Sequence, residues 1–488
     1  MKTIRANFVF ASLIVLIFPF ASQAQHLTQV AGRSVETDSW QGKNIRYISG
    51  EVSIKVAANA SPSEIQLLFD RHDAKVIDPV DELDWGTIQI PENRGVLSTA
   101  QELKRSPVVI EAGPNGVISN HTDPNDPYFL GNSPASYAHQ WGLKNTAQSP
   151  PGGTNDADID AELAWDRTTG DSDVVIAVLD TGIPMQNGSP SHPDLDDSNK
   201  IILGPDYAGD GSGVKDERGH GTHVAGIAAA ETNNSSGIAG VCWDCKLLVI
   251  QILDKYGNGD WATFYNGVKF AVDYAVTNNV DLVINASVGG PEDMNGRAED
   301  AIKYADDHDV LLVVSTGNES GGAVTYPAVY SSSYTNVVSV SSSDANDSFS
   351  SFSSKGSEVV VAAPGGFGSY LDGLTVRLNG PFNKGENIYS TTPNYSFTIQ
   401  FDPEYQGDPY VSDITQSYGY LPGTSMAAPH VAGTAGLIYS INPLLSASEV
   451  RTILESTAED VNGGGFDNKF GHGRLNASEA VTEAFKHA

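Results

Sequence analysis

The chain sets three reactive side chains at the ends of three separate elements, and this placement constrains its fold more than any other feature. The apolar run VVIAVLD ends on Asp180, the small-residue run HGTHVAG opens on His220, and GTSMAAPHVAG carries Ser425 near its head. Groups so far apart in sequence can meet where an open parallel sheet gathers its reactive residues, outside the carboxyl ends of its strands. The intervening sequence suits such a sheet. KLLVIQIL, VDLVINAS, VLLVVS, NVVSVSS and EVVVAAPG are short and apolar enough to be buried on both faces. Helical stripes lie between some of them: Phe264, Val268, Ala271, Val272 and Ala275 share one face, as do Ala298, Ala301, Ile302 and Ala305. The expected class is therefore α/β, a mostly parallel sheet with helices on both faces. Near the C-terminus Ser446 and Glu449 cap a further helix carrying Val450 and Ile453.

The three residue types suit nucleophilic catalysis. A serine hydroxyl is a weak nucleophile at neutral pH, so a neutral imidazole must take its proton as it attacks a carbonyl. Asp180 would then fix the tautomer of His220 and stabilise the imidazolium, without itself becoming protonated. Ser425 is expected to begin a helix running to about Ser440, with Pro429 in its first turn or so, where a missing N–H costs little. His223 and His430, about one turn beyond His220 and Ser425, fit packing or hydrogen-bonding roles better than catalysis.

A lone Gly-Thr-Ser is a common turn, but the three motifs together, in the order Asp, His, Ser, resemble the subtilisin-like serine peptidases. The resemblance covers nearly the whole chain after residue 140, apart from insertions. It implies a serine endopeptidase acting on proteins or peptides through Asp180, His220 and Ser425. Asn318, after the run Val310–Val314, stands where the family has its oxyanion-hole asparagine, with the Ser425 N–H as second donor. Ser287, Val288, Gly289 and Gly290 match the segment that pairs with substrate backbone and forms one wall of the S1 pocket. Ser315, Thr316 and Gly317 match another wall and Thr325 its floor, all uncharged, so an apolar or aromatic P1 residue is expected. Pro291-Glu292-Asp293 suggests the alternative of a kexin-like, basic-P1 enzyme, out of register by one residue. A noncatalytic binding protein on a peptidase fold is a second alternative. An α/β-hydrolase lipase or esterase is disfavoured, because GTSMA lacks the second glycine of Gly-x-Ser-x-Gly.

The resemblance also implies calcium and no organic cofactor. The loop Thr232–Ile238 matches a family calcium loop, with Thr232, Asn234, Ser236 and Ile238 as candidate ligands and Gln140 and Asp194 as remote ones. A plain Asn-Gly-rich turn is the competing reading. Cys242 and Cys245 could be redox-active or metal-binding, but in an exported chain without a second pair a small-loop disulfide is the first choice. It requires a turn at Trp243-Asp244.

Three parts are expected along the chain. Residues 1–24 read as a secretory signal: Lys2 and Arg5, an apolar stretch Phe8–Ala21, and Ser22-Gln23-Ala24. That stretch is short of the roughly 20 residues needed to span a bilayer, so a secreted, extracellular protein without a membrane anchor is expected. Residues 25–120 read as strand, helix, strand, strand, helix, strand, the ferredoxin-like order, with capping boxes at Ser61/Glu64 and Ser98/Gln101. This resembles the prodomain that serves subtilisin-like enzymes as intramolecular chaperone and inhibitor. Residues 121–488 form the catalytic domain, with insertions around 367–386 and 395–420. The second is either a flap beside the cleft or a passive surface insertion. A formal charge of −32 repels phosphate backbones, so nucleic acid is not an expected partner. A monomer with a solvated acidic surface is expected.

Overall fold

The computed structural model describes residues 29–487 except 31–32, 41–42, 58, 79, 81–83, 92, 118–122, 131–138, 149–152, 210, 368–385 and 402–416. The expected signal segment and most of both insertions lie outside the described residues. The chain divides into two compact units, Met1–Ser119 and Asn120–Ala488.

In the first unit the strand Lys43–Val56 lies centrally in an antiparallel sheet, paired with Arg33–Trp40, Trp85–Gln89 and Val109–Gly116, with Lys75–Asp78 beyond Trp85–Gln89. Pro62–Arg71 and Val96–Leu103 are its helices; from Lys43–Val56 onward the order is the expected strand, helix, strand, strand, helix, strand, but two strands that sequence reasoning missed, Gln29–Val30 and Arg33–Trp40, precede it. Val52, Ile54, Phe69, Ile88, Ala100 and Leu103 meet in its core. Ser61 and Glu64 form the capping box. Ser98 does not: the helix starts at Val96 after Gly95, so Ser98 lies within the first turn and its hydroxyl donates to the Gly95 carbonyl at 3.0 Å.

The second unit is built on a seven-stranded parallel sheet. Its order is Ile201–Asp206, Lys246–Gln251, Val174–Asp180, Asp281–Ala286, Leu311–Ser315, Val337–Ser343, Val361–Pro364. Alternation along each strand fills two cores. Val174, Ile176 and Val178 pack on one face with the helices His220–Ala229 and Thr424–Ile441. Val175, Ala177 and Leu179 pack on the other with Trp261–Asn278 and Arg297–Asp306. Strand order reverses at Val174–Asp180, which has Lys246–Gln251 on one side and Asp281–Ala286 on the other. Asp180 thus ends the strand at the switch point, where such sheets open a crevice.

Cys242 and Cys245 form a disulfide across a bend at 241–244, their Cα atoms 5.4 Å apart. An antiparallel ribbon, Ile388–Thr391 with Tyr418–Leu421, pairs the segment before the second insertion with the end of that insertion and leads directly to Gly423 and the Ser425 helix.

Candidate active site

Asp180 is fully buried, and both of its carboxylate oxygens face His220 Nδ1, at 2.8 and 2.9 Å. The Thr181 N–H donates to the same carboxylate at 2.7 Å. An Nδ1 proton held there leaves Nε2 as the lone-pair nitrogen. Burial pushes the imidazole pKa down, but the charge and hydrogen bond of Asp180 outweigh it, and His220 lies above its ordinary value.

His220 opens its helix after Gly219, and sequence reasoning missed what holds that start. Asp216, fully buried, accepts from the N–H groups of Arg218, Gly219 and Thr222 and from the hydroxyls of Thr181 and Thr222. A carboxylate at a helix head satisfies orphan donors and complements the dipole. Its signal in the sequence was an Asp four residues before the histidine, as helix-start chemistry requires.

Ser425 is the second residue of the helix Thr424–Ile441, and Pro429 lies in the second turn rather than the first. There the missing N–H does matter, because it would have served the Ser425 carbonyl four residues back. The Ser287 hydroxyl donates to that carbonyl instead, at 2.8 Å. In return Ser425 Oγ donates to the Ser287 carbonyl at 3.3 Å, so in this conformation the hydroxyl is turned to Ser287.

The Asn318 amide is oriented by Thr424, whose N–H and hydroxyl both contact its Oδ1 at 3.0 Å. A backbone N–H can only donate, so the facing atom is the oxygen and Nδ2 turns the other way. A Cβ placed on Gly423 would stand 3.7 Å from Asn318 Nδ2 and 3.6 Å from the Ser425 nitrogen. Bare backbone at Gly423 therefore keeps open the space in front of two donors.

The expected pocket walls are pinned together. Gly290 and Tyr326 exchange backbone hydrogen bonds at 2.9 Å, and the N–H and hydroxyl of Thr325 both reach the Thr316 carbonyl. A Cβ at Gly289 would lie 2.6 Å from Thr325 Oγ1, and one at Gly317 2.8 Å from its methyl, so both glycines make room for Thr325 between the walls. Ser315 and Thr316 are buried on the adjoining strand end. From His220 past Ser287, Val288 and Gly290 a cleft of about 550 Å³ extends to Leu253, Tyr256, Trp261 and Phe264. Glu292 borders it. Asp293 does not line this cleft: its carboxylate accepts from the N–H groups of Arg297, Ala298 and Glu299 and from the Tyr330 hydroxyl.

His223 and His430 are buried in structural hydrogen bonds. His223 Nε2 meets the Ile388 and Gly419 carbonyls, both at 3.1 Å, and His430 Nδ1 the Met426 carbonyl at 2.9 Å. Burial lowers their pKa values to about 3 and about 4, so both are neutral at ordinary pH.

Around Thr232–Ile238 the structure gathers part of the expected set. Asp194 accepts from Asn234 Nδ2, the Ile238 N–H and the Tyr418 hydroxyl. Thr232 Oγ1 bonds within the loop, to the Ala230 carbonyl and the Gly240 N–H, and the Ser236 N–H donates to Asn234 Oδ1. Gln140 is spent elsewhere: both ends of its amide pair with the backbone of Ala239. Asp126, which sequence reasoning missed, accepts from the N–H groups of Asn233 and Asn234. Burial raises the carboxyls of Asp126 and Asp194 to about 6, and neither pairs with Lys or Arg among the described residues. Two carboxylates with no Lys or Arg partner among the described residues suit a hard cation such as calcium, whereas a zinc site would call for His or Cys; Asn234 here turns its Nδ2 to Asp194 and its Oδ1 to the Ser236 N–H.

Comparison with known proteins agrees in outline. Residues 171–473 match the subtilase family model, and residues 34–115 match that of the fervidolysin N-terminal prodomain. Thermitase of Thermoactinomyces vulgaris is 37% identical over 358 residues, covering 73% of this chain and 99% of that protein. A thermophilic serine proteinase of Bacillus sp. (strain AK1) is 30% identical over 468 residues, 96% of each chain. Among solved structures, a protease of Pseudoalteromonas arctica PAMC 21717 aligns with a TM-score of 0.57 at 31% identity, covering 74% of this chain and 99% of its own.

Proposed function

Because the chain belongs to the subtilase family, and is thus a serine endopeptidase with an N-terminal prodomain, we propose that Asp180, His220 and Ser425 carry its reaction. The observation that carries the assignment is the His220 Nδ1 bond to buried Asp180, which leaves Nε2 as the base. For the reaction the Ser425 hydroxyl must leave the Ser287 carbonyl and donate to His220 Nε2. Oγ then attacks the substrate carbonyl as Nε2 takes the proton, and the charge formed on the carbonyl oxygen is met by Asn318 Nδ2 and the Ser425 N–H. His220 returns the proton to the leaving amine, an acyl-enzyme remains on Ser425, and water activated by the same imidazole releases it. A fluorophosphonate probe should label Ser425 in the mature protein and fail to label a folded Ser425→Ala chain. That variant should also retain its N-terminal unit after purification, whereas normal maturation without any other protease would end the autoprocessing reading.

The proposed S1 pocket takes an apolar or aromatic P1 residue between Ser287–Gly290 and Ser315–Gly317, above Thr325. Supporting this over the basic-P1 alternative, the Asp293 carboxylate is committed to the head of the Arg297–Asp306 helix.

The proposed calcium ion is structural, held by Asp194, Asn234 and loop carbonyl oxygens together with Asp126. We assign it no chemical step. Export through the segment 1–24 is proposed from its signal-like pattern. No described helix is long and apolar enough to cross a membrane.

A further inference from the structure

The second insertion starts by docking on the loop that delivers His220. The hydrogen-bond ladder of the helix His220–Ala229 opens with the Gly219 carbonyl, which accepts from the His223 N–H at 3.3 Å. The three carbonyls before it, of Asp216, Glu217 and Arg218, lie outside that ladder, and the described start of the insertion serves all three. The Tyr395 hydroxyl donates to Asp216 at 2.8 Å, the Thr398 N–H to Glu217 at 2.8 Å and the Ile399 N–H to Arg218 at 3.2 Å. At Gly219 the contact is steric: a Cβ there would collide with the Phe397 ring, so bare backbone lets the ring close on the residue next to His220. Four consecutive residues leading to the base are thus held by one segment, 395–399.

That segment is itself firmly anchored. Phe397 and Ile399 are 2% and 1% exposed and belong to the same core as the inner faces of the His220 and Ser425 helices. The Thr398 hydroxyl donates to the Lys255 carbonyl, in the turn whose Tyr256, Gly257 and Asn258 line the cleft. Ile399 borders the cleft as well, but a side chain so completely covered offers substrate almost no contact. Its segment can act on the reaction through the loop it holds.

We propose that Tyr395 and Phe397 are positioning residues for His220, a role that rests on the assignment of Asp180, His220 and Ser425 as the reacting groups. Asp216 transmits the restraint: Tyr395 holds its carbonyl, while its carboxylate receives the N–H groups of Arg218, Gly219 and Thr222 at the head of the His220 helix. Phe397 supplies a stop at Gly219, which stands at φ +100° and is the most permissive residue of the loop. Reacting groups misplaced by about 1 Å can lose about a hundredfold in rate, so a small freedom at 216–219 reaches the proton transfer at Nε2.

The test compares the mature protein with its Tyr395→Phe and Phe397→Leu variants in two reactions. One is hydrolysis of a peptide; the other is phosphonylation by a small fluorophosphonate, which draws on His220 and Ser425 but not on the extended cleft. Phe397→Leu should slow phosphonylation and lower kcat by the same factor, about tenfold, with KM changed by less than about twofold. Tyr395→Phe should slow both about threefold, as loss of one neutral hydrogen bond does. Near-ultraviolet circular dichroism and Tm check that each variant is folded, and if Phe397→Leu does not fold, Tyr395→Phe, which removes a single oxygen, decides. A lowered Tm with phosphonylation and kcat unchanged would overturn the proposal and leave the segment a support of stability alone. A raised KM with phosphonylation unchanged would overturn it in favour of direct substrate contact. Failure of the probe to label Ser425 in the unaltered protein is a separate result, which would remove the assignment of the reacting groups and the proposal with it.

Discussion

Replacing Ser287 by Ala tests how the nucleophile's helix is anchored. Pro429 offers no N–H to the Ser425 carbonyl, and the Ser287 hydroxyl fills that vacancy at 2.8 Å while accepting from Asn285 Nδ2 at 3.1 Å. Its loss strands one acceptor and one donor. Asn285 is fully buried, so its share takes the full range of about 1–3 kcal/mol for an unsatisfied group, and the half-buried Ser425 carbonyl sits near the low end, about 1 kcal/mol. A total of about 2–4 kcal/mol, at roughly 2 °C per kcal/mol for a large domain, lowers Tm by about 4–8 °C. Calorimetry on the Ser425→Ala chain measures this without self-digestion and keeps the carbonyl in question. The decisive arm is Pro429→Ala, which supplies the missing N–H. In the Ser287→Ala background it should recover about 1 kcal/mol, and with Ser287 intact it should recover nothing comparable, since the carbonyl is already served. Equal effects of Pro429→Ala in both backgrounds, to within about 0.5 kcal/mol, would refute the reasoning.

Four further outcomes are expected. The acid limb of kcat/KM should lie above pH 6.5: catalysis needs neutral imidazole, the His220 pKa is raised, and activity is therefore lost on acidification sooner than with a free imidazole. A limb below 6.5 would contradict the Asp180 pairing. Asn318→Leu should fold normally with kcat lowered ~10²–10³, a range borrowed from a subtilisin's own oxyanion donor rather than worked out from this geometry; unchanged kcat removes Asn318 from the oxyanion hole. Calcium should raise Tm, because a ligand held only by the native state shifts the folding equilibrium; Asp194→Ala should blunt this, and a Tm indifferent to chelator and added calcium would remove the site. In matched peptides, kcat/KM should be higher after Phe, Leu or Tyr than after Arg, since burying such a side chain contributes roughly 1.5–3 kcal/mol; a preference for Arg that Glu292→Gln abolishes would reverse the specificity assignment.

What could be read from the sequence was what local pattern dictates. Strands buried on both faces are continuous apolar runs, so Lys246–Gln251, Asp281–Ala286 and Leu311–Ser315 were visible as such. The Asp180, His220 and Ser425 motifs lay at element ends because the crevice of a parallel sheet is made of them. Where the outcome depended on a partner distant in sequence, pattern was not enough. Asp126 reaches the loop at 232–238 from 107 residues away, whereas Gln140, chosen by resemblance, finds Ala239. Pro429 looked harmless because its cost hinges on a position shift of a few residues, and the compensating hydroxyl comes from Ser287, on another strand's end.

Asp293 shows the same limit within a few residues. Beside a pocket wall its charge suggested selection of a basic side chain. Yet helix N–H groups left open at Arg297, Ala298 and Glu299 are a stronger claim on a nearby carboxylate than a substrate that is only sometimes present. Gly296, at φ +71°, occupies the N-cap and offers no side chain. The capping oxygen must therefore come from further back, and Asp293 supplies it. An acidic residue near a specificity pocket informs on substrate charge only after the donors around it have been counted, and here the three helix N–H groups and the Tyr330 hydroxyl already claim both carboxylate oxygens.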